Sequence, residues 1–258
     1  MDLNSYIAER RKVKAPLVMT HVVCGYPSFE ANMKELEIMN SFGVDFVELQ
    51  FPFSEPSADG PLFVKANQQS ILNGTTIAQC FEFMAEVTKR FDFKVLMMGY
   101  YNTCFKMGHE NFVNRLKEAG GCGYILPDLP IEETKELHAL SKPAGLTPVI
   151  LMTPTSTDAR LKKLGETAEG FVYAVARKGV TGTKTDMSQE VVTFLDRCRQ
   201  FTDVAIGVGF GVSEKEDIDF IGQHGDIAII GTAALKAWEK GEEVGLTTFF
   251  ESLGLVKN

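Results

Sequence analysis

The sequence predicts an α/β fold: a (β/α)8 TIM barrel with an extra N-terminal helix, in a single domain over residues 1–258. Three observations predict it. Short apolar, often β-branched runs alternate with helical patterns along the chain. There are eight such pairs, the number a closed barrel requires. The runs are continuously apolar, not alternating, so both faces of each strand are buried, as in a parallel sheet under helices. A doubly wound open sheet is the alternative architecture.

Asp2 to Lys12 reads as a short amphipathic helix, with Leu3, Tyr6 and Ile7 on its apolar side. The first run, Leu17 to Val23, ends in Gly25-Tyr26-Pro27, and a helix from Phe29 to Phe42 is stopped by Gly43. The second run is Phe46 to Gln50, followed by a Pro/Ser-rich loop and the segment Leu62 to Leu72. Thr75-Thr76 cap a helix from Ile77 to Arg90. The third run is Val95 to Tyr101, with a helix from Glu110 to Ala119 after it. The fourth, Gly123 to Leu126, closes in Pro127-Asp128, and Glu132 to Ser141 is helical. Pro148 to Met152 is the fifth run, and Thr157 caps the helix Asp158 to Leu164. Gly170 to Ala176 is the sixth, with a long loop from Arg177 and a helix from Ser188 to Gln200. The seventh, Val204 to Val208, leads to a capped helix at Ser213; the eighth, Ile227 to Ile230, precedes the last helices.

Bulk composition narrows the function. A net charge of −8 argues against a nucleic-acid partner, because phosphate backbones need a basic face. No apolar run approaches a bilayer span, and the first residues show no apolar signal core, so a cytoplasmic protein without a membrane role is expected. The five cysteines form no CxxC pair and read as reduced thiols; the four histidines have no metal-ligand spacing, so no metal is expected.

Glu48 interrupts the second run. Burying an ionised carboxylate without partners is costly, so Glu48 is either a salt-bridged structural residue or an acid kept for chemistry. Strand parity puts Glu48 and Gln50 on one face and Val47 and Leu49 on the other. The apolar pair belongs against the helices, so Glu48 is expected to point into the barrel mouth. Asp59 lies on the loop above it, making two carboxylates an acid–base candidate pair. Barrel active sites sit where strands end, which adds Tyr100, Asn102, Asp128, Tyr173 and Arg177; Met98 and Phe210 are candidate walls for an aromatic substrate. Asp128 reads equally as a turn residue. No lysine ends a strand facing inward, which disfavours a Schiff-base aldolase.

The loops Gly209-Phe210-Gly211-Val212-Ser213 and Gly231-Thr232-Ala233 follow the seventh and eighth runs and enter helices. Glycine backbones and helix N-termini there suit a phosphate, with Gly182 of the Gly179–Gly182 loop as a third contact.

These residues resemble the tryptophan synthase alpha chain family, the indole-3-glycerol-phosphate lyases. The segment VELQFPFSEPSADGP, residues 47–61, resembles that family's ELGxPFSDPxADGP signature, and matches at Phe171-Val172-Tyr173, Gly179 to Gly182, Gly209 to Ser213, Ile230-Gly231-Thr232 and Asp128-Leu129-Pro130 extend it over essentially the whole chain. The resemblance implies retro-aldol cleavage of indole-3-glycerol phosphate to indole and glyceraldehyde 3-phosphate, in the last stage of tryptophan biosynthesis. It implies Glu48 and Asp59 as catalytic residues. Tyr173, Tyr100, Met98, Ile125, Thr181, His21 and Gln50 become the substrate-binding set. Gly182, Phe210, Gly211, Gly231 and Thr232 become the phosphate cradle. No cofactor is implied on this chain; pyridoxal phosphate is expected only on a partner beta chain, in an alpha2beta2 assembly. A weakly active homologue serving mainly to activate a beta chain is the alternative, and a phosphosugar isomerase or epimerase a third reading.

The sequence departs from the family pattern at several places. Gln50 stands for the usual glycine, His21 for an aromatic residue, Tyr26 and Glu55 for aspartates and Gln69 for an arginine. Gln50 and His21 are expected to hydrogen-bond each other and to narrow the pocket, so that Gln50→Gly would speed cleavage.

Overall fold

The computed structural model describes residues 2–175, 189–209 and 211–257. Nine parallel strands form one sheet: β1 (Leu17–Val23), β2 (Phe46–Gln50), β3 (Lys94–Met98), β4 (Gly123–Ile125), β5 (Thr147–Pro148), β6 (Ile150–Met152), β7 (Phe171–Val175), β8 (Ala205–Gly209) and β9 (Ile227–Ile230). Their order is β5-β4-β3-β2-β1-β9-β8-β7-β6. Only Val149 separates β5 from β6, so the two ends of that order meet in one segment. β5 pairs with β4 and β6 pairs with β7. Counted as one interrupted stave, they give the eight-stranded barrel the sequence predicts; an open sheet is excluded.

Parity sorts the strand residues into two cores. Val18, Val47, Leu49, Val95 and Met97 pack outward under the helices. Leu17, Met19, Phe46, Leu96, Met98, Phe171 and Ile229 fill the barrel interior. The first helix, Leu3–Arg11, is capped by Asp2, which accepts from the Ser5 N–H at 2.8 Å, and its Leu3 and Ile7 join the interior core from below. The helix Ile77–Arg90 opens with the expected Thr76 cap, closed into a capping box by Gln79.

Two predicted elements differ. The third run ends at Met98, and Tyr101–Met107 is a helix; the tyrosines that lengthened the apolar pattern belong to a strand end and a helix start. The helix expected at Glu132 begins at Lys135, after a 3-10 turn over Ile131–Glu133 that follows Pro130. It runs through Pro143, in its last turn, to Ala144. The final helical stretch, Thr232–Ser252, breaks at Gly241 and Glu242.

Two buried aspartates at the N-terminal end of the barrel are partnered. Asp45 receives the Val18 N–H at 2.9 Å, Arg10 Nε at 2.8 Å and Lys14 Nζ at 3.0 Å. Asp226 receives the Ile206 N–H at 2.7 Å and Arg199 Nη2 at 2.6 Å, and pairs with Arg11. Among the described residues no helix is long and apolar enough to cross a membrane, and no group of three His, Cys, Asp or Glu could hold a metal ion.

Candidate active site

The opposite end of the barrel is built differently. β2 aims Phe46, Glu48 and Gln50 inward, as parity requires. Glu48 is 2% exposed. Burial first, and the Asp59 charge second, push its pKa up to about 8. Among the described residues its basic neighbour is His21, across the β1–β2 pair, with Nδ1 3.6 Å from Glu48 Oε2. That contact is no ion pair, because burial drives the His21 pKa down to about 4, against a smaller opposing effect of its Gln50 hydrogen bond. At 3.6 Å it is not a hydrogen bond either. Glu48 Oε1 is buried with no hydrogen-bond partner. Among the described residues Glu48 has no Lys or Arg partner, unlike a salt-bridged structural glutamate. Asp45, three residues earlier and equally buried, shows what a structural carboxylate looks like here.

Asp59 sits beside it on the loop between β2 and the helix Pro61–Leu72, and is also buried. Its Oδ2 accepts from Gln50 Nε2 at 2.7 Å and from the Tyr100 hydroxyl at 3.0 Å. Burial raises its pKa, and these two bonds oppose the rise. The Tyr100 hydroxyl also accepts the Ala58 N–H at 3.0 Å, and its ring stacks on Phe53 at 5.1 Å. Asn67 Oδ1 receives the Phe53 N–H at 3.0 Å, which fixes the start of the loop. The hydroxyl of Tyr100, a residue expected at the substrate, holds the Asp59 loop. Asp128 resolves as a cap: its Oδ1 accepts the Tyr101 N–H at 2.8 Å and so closes the helix Tyr101–Met107.

Tyr173 on β7 completes the group. It is held far above the usual phenol range by burial first, then by the charges of Glu48 and Asp59. A Cβ on Gly209 would lie 2.6 Å from Tyr173 Cε1 and 2.8 Å from its hydroxyl. Gly209 thus gives Tyr173 its place, a role its position in a glycine-rich loop did not suggest. Gly209→Ala is expected to displace that ring and lower kcat/KM at least about tenfold, since small misplacements at a reacting centre cost that much or more. An unchanged circular dichroism spectrum would accompany the loss; unaltered turnover would exclude the packing role.

Met98 and Ile125 lie in the interior core beside Tyr100, Phe53, Leu151 and Tyr173 and form an apolar wall. Phe53 and Leu151 were not singled out from sequence, although parity puts Leu151 inward. Nor was Phe63, which stacks on His21 at 4.3 Å. Thr181, Gly182 and Phe210 lie outside the described residues. Gly211 has φ +85°, a backbone only glycine adopts readily. Gly231 precedes the helix Thr232–Ser252, which has no side-chain cap. The helix Lys215–His224 differs from expectation: Asp217 Oδ2 takes the Ser213 N–H at 2.8 Å and the Glu214 N–H at 3.0 Å, so those donors are not open to an anion. The open start is the one at Gly231 and Thr232.

Two unequal carboxylates at the mouth of an eight-stranded barrel, beside an apolar wall, define an acid–base enzyme for a small substrate with an apolar head. Comparison with known proteins narrows the class. The family model for "Tryptophan synthase alpha chain" matches residues 7–254. The tryptophan synthase alpha chain of Syntrophotalea carbinolica is 40% identical over 251 residues, covering 97% of this chain and 99% of the relative. That of Desulforapulum autotrophicum is 43% identical with the same coverage. Among solved structures, Mycobacterium tuberculosis tryptophan synthase superposes with a TM-score of 0.91 at 28% identity, covering 99% of this chain and 98% of that one. The tryptophan synthase a2b2 complex of Pyrococcus furiosus gives 0.86 at 28% identity, covering 93% and 98%. The chain belongs to the tryptophan synthase alpha chain family, a family of lyases.

Proposed function

We propose that Glu48 and Asp59 of this chain carry out the retro-aldol cleavage of indole-3-glycerol phosphate to indole and glyceraldehyde 3-phosphate. The bond that breaks joins indole C3 to the hydroxyl-bearing carbon of the glycerol chain. Cleavage needs C3 protonated, so that the electrons of that bond have somewhere to go. Glu48, in its acid form below about pH 8, is the proton source. Protonated C3 makes the ring nitrogen positive, and Asp59 beside it stabilises that charge where it develops. The Gln50 and Tyr100 hydrogen bonds to Asp59 both end on Oδ2, which leaves Oδ1 for the ring N–H. Loss of the hydroxyl proton then yields the aldehyde, and ionised Glu48 takes up that proton.

Met98, Ile125 and Leu151 would wall the indole, with Tyr173 beside Glu48. Gly211, Gly231 and Thr232 would cradle the phosphate by backbone N–H groups, with Thr181, Gly182 and Phe210 as further contacts. The scheme uses no cofactor on this chain. The indole passes to a beta chain carrying pyridoxal phosphate, in an alpha2beta2 assembly in the cytoplasm.

One observation carries the reading: a buried carboxyl with one unpartnered oxygen at the strand ends, next to a second, hydrogen-bonded one. Indole release from indole-3-glycerol phosphate, measured with and without a beta chain, tests it. Release is expected from the chain alone and faster release in the complex. No release under either condition overturns it.

A further inference from the structure

His21 and Gln50 stand between the two carboxylates and join them. Gln50 is fully buried, and its amide bonds at both ends, Nε2 to Asp59 Oδ2 at 2.7 Å and Oε1 to His21 Nε2 at 2.9 Å. The other ring nitrogen, Nδ1, faces Glu48 Oε2 at 3.6 Å. The polarity of this chain follows from what each group can do. Asp59 Oδ2, already taking the Tyr100 hydroxyl proton, is an acceptor, so the amide turns its NH2 toward it. The amide oxygen is then an acceptor, so His21 Nε2 must carry the imidazole proton. A neutral ring protonated on Nε2 has a bare Nδ1.

We propose that Asp59, Gln50 and His21 form a directional relay: Asp59 orients the Gln50 amide, the amide fixes the His21 tautomer, and bare Nδ1 is presented to the Glu48 carboxyl as an acceptor. Its role in turnover rests on the lyase reading above. His21 and Gln50 are positioning residues: they act on the substrate through the two carboxylates. An acceptor facing Glu48 favours its O–H form, whereas a ring protonated on Nδ1 would donate and favour the anion. A small turn of the Glu48 side chain shortens the 3.6 Å gap to hydrogen-bond length. Among the described residues the titratable groups facing Glu48 are His21 from β1, Asp59 from the loop after β2 and Tyr173 from β7. Among the described residues no Lys or Arg is ion-paired to either carboxylate.

This geometry reverses the expectation that Gln50→Gly speeds cleavage. Gln50 does more than fill space. Removing it frees His21 to adopt either tautomer and takes one donor from Asp59.

The test is 15N NMR of histidine-labelled full-length protein near pH 7, with the Glu48 side-chain carboxyl followed by 13C across a pH series. Wild-type His21 is expected to show a protonated Nε2 and a bare Nδ1. In Gln50→Leu the two tautomers mix, and the Glu48 midpoint falls by about one unit, a tenfold loss of acid form at a given pH. Its kcat falls about tenfold with little change in KM, as for a lost positioning effect. Gln50→Met serves if the leucine variant does not fold. A wild-type ring protonated on Nδ1, a charged ring, or a Glu48 midpoint that stays put in the variant overturns the relay, as does a rise in kcat. The NMR readouts do not use turnover. A correct tautomer in a chain that releases no indole would remove the lyase reading and leave the relay's geometry standing.

Discussion

Glu48→Gln is expected to abolish indole release and, at neutral pH, to make the protein harder to unfold. Glutamine keeps the shape and cannot deliver a proton, so the loss is of the order of 10²- to 10⁴-fold. The stability gain follows from linkage. Folding raises the Glu48 pKa from 4.5 to about 8. Between those values the folded state holds a proton that the unfolded state has released, so stability falls as pH rises, by about 1.4 kcal/mol per unit. The contribution is whole below pH 4.5 and lost as pH climbs through 8. Glutamine has no such slope. Near pH 7.5, about three units above 4.5, the wild type has lost about 4 kcal/mol that the variant keeps, of the order of ten degrees in Tm. Glu35, also pushed up to about 8 by burial, is common to both proteins and cancels. Melting curves at pH 5 and pH 8 check this: the gap between variant and wild type must widen with pH. A constant gap, or retained cleavage, would defeat the assignment of Glu48 as a desolvated acid.

Asp59→Asn is expected to lower kcat by about 10²- to 10³-fold, the usual cost of losing electrostatic stabilisation at a developing charge. The amide has nearly the same size, and Tyr100 and Gln50 still meet an oxygen, so the loop should keep its place. KM should change little, because the lost interaction belongs to the protonated ring and not to the neutral substrate. Steady-state kinetics separates the two parameters; a loss confined to KM would assign Asp59 to binding alone. Combined with Glu48→Gln, the effect should be far from additive, since both act on one charge-separated intermediate.

The barrel was legible in the sequence because burial on both strand faces leaves uninterrupted apolar runs, and eight of them were separable. Glu48 was legible for the same reason inverted: a carboxylate in such a run stands out, and period-two geometry gives its direction. What could not be read were contacts between residues distant in the chain. Tyr100 reaches Asp59 across 41 positions. Asp128 caps a helix that starts 27 residues before it, and Tyr173 needs the bare backbone of Gly209. None of these leaves a periodic trace. The helix Tyr101–Met107 was hidden because its first residues prolong the apolar pattern of β3. The uncapped start at Thr232 and the self-capped one at Lys215 look alike as sequence. Only the Asp217 side chain, turned back on Ser213 and Glu214, tells them apart.

The bonds of Asp45 act as a pin for β2. They tie its foot to Val18, Arg10 and Lys14, about 10 Å of extended chain from Glu48. A slip of one residue would turn Glu48 into the helical layer and bring Val47 into the mouth. The alignment of the acid is thus guarded from the far end of the ring, by ionic ties that never meet the reactants.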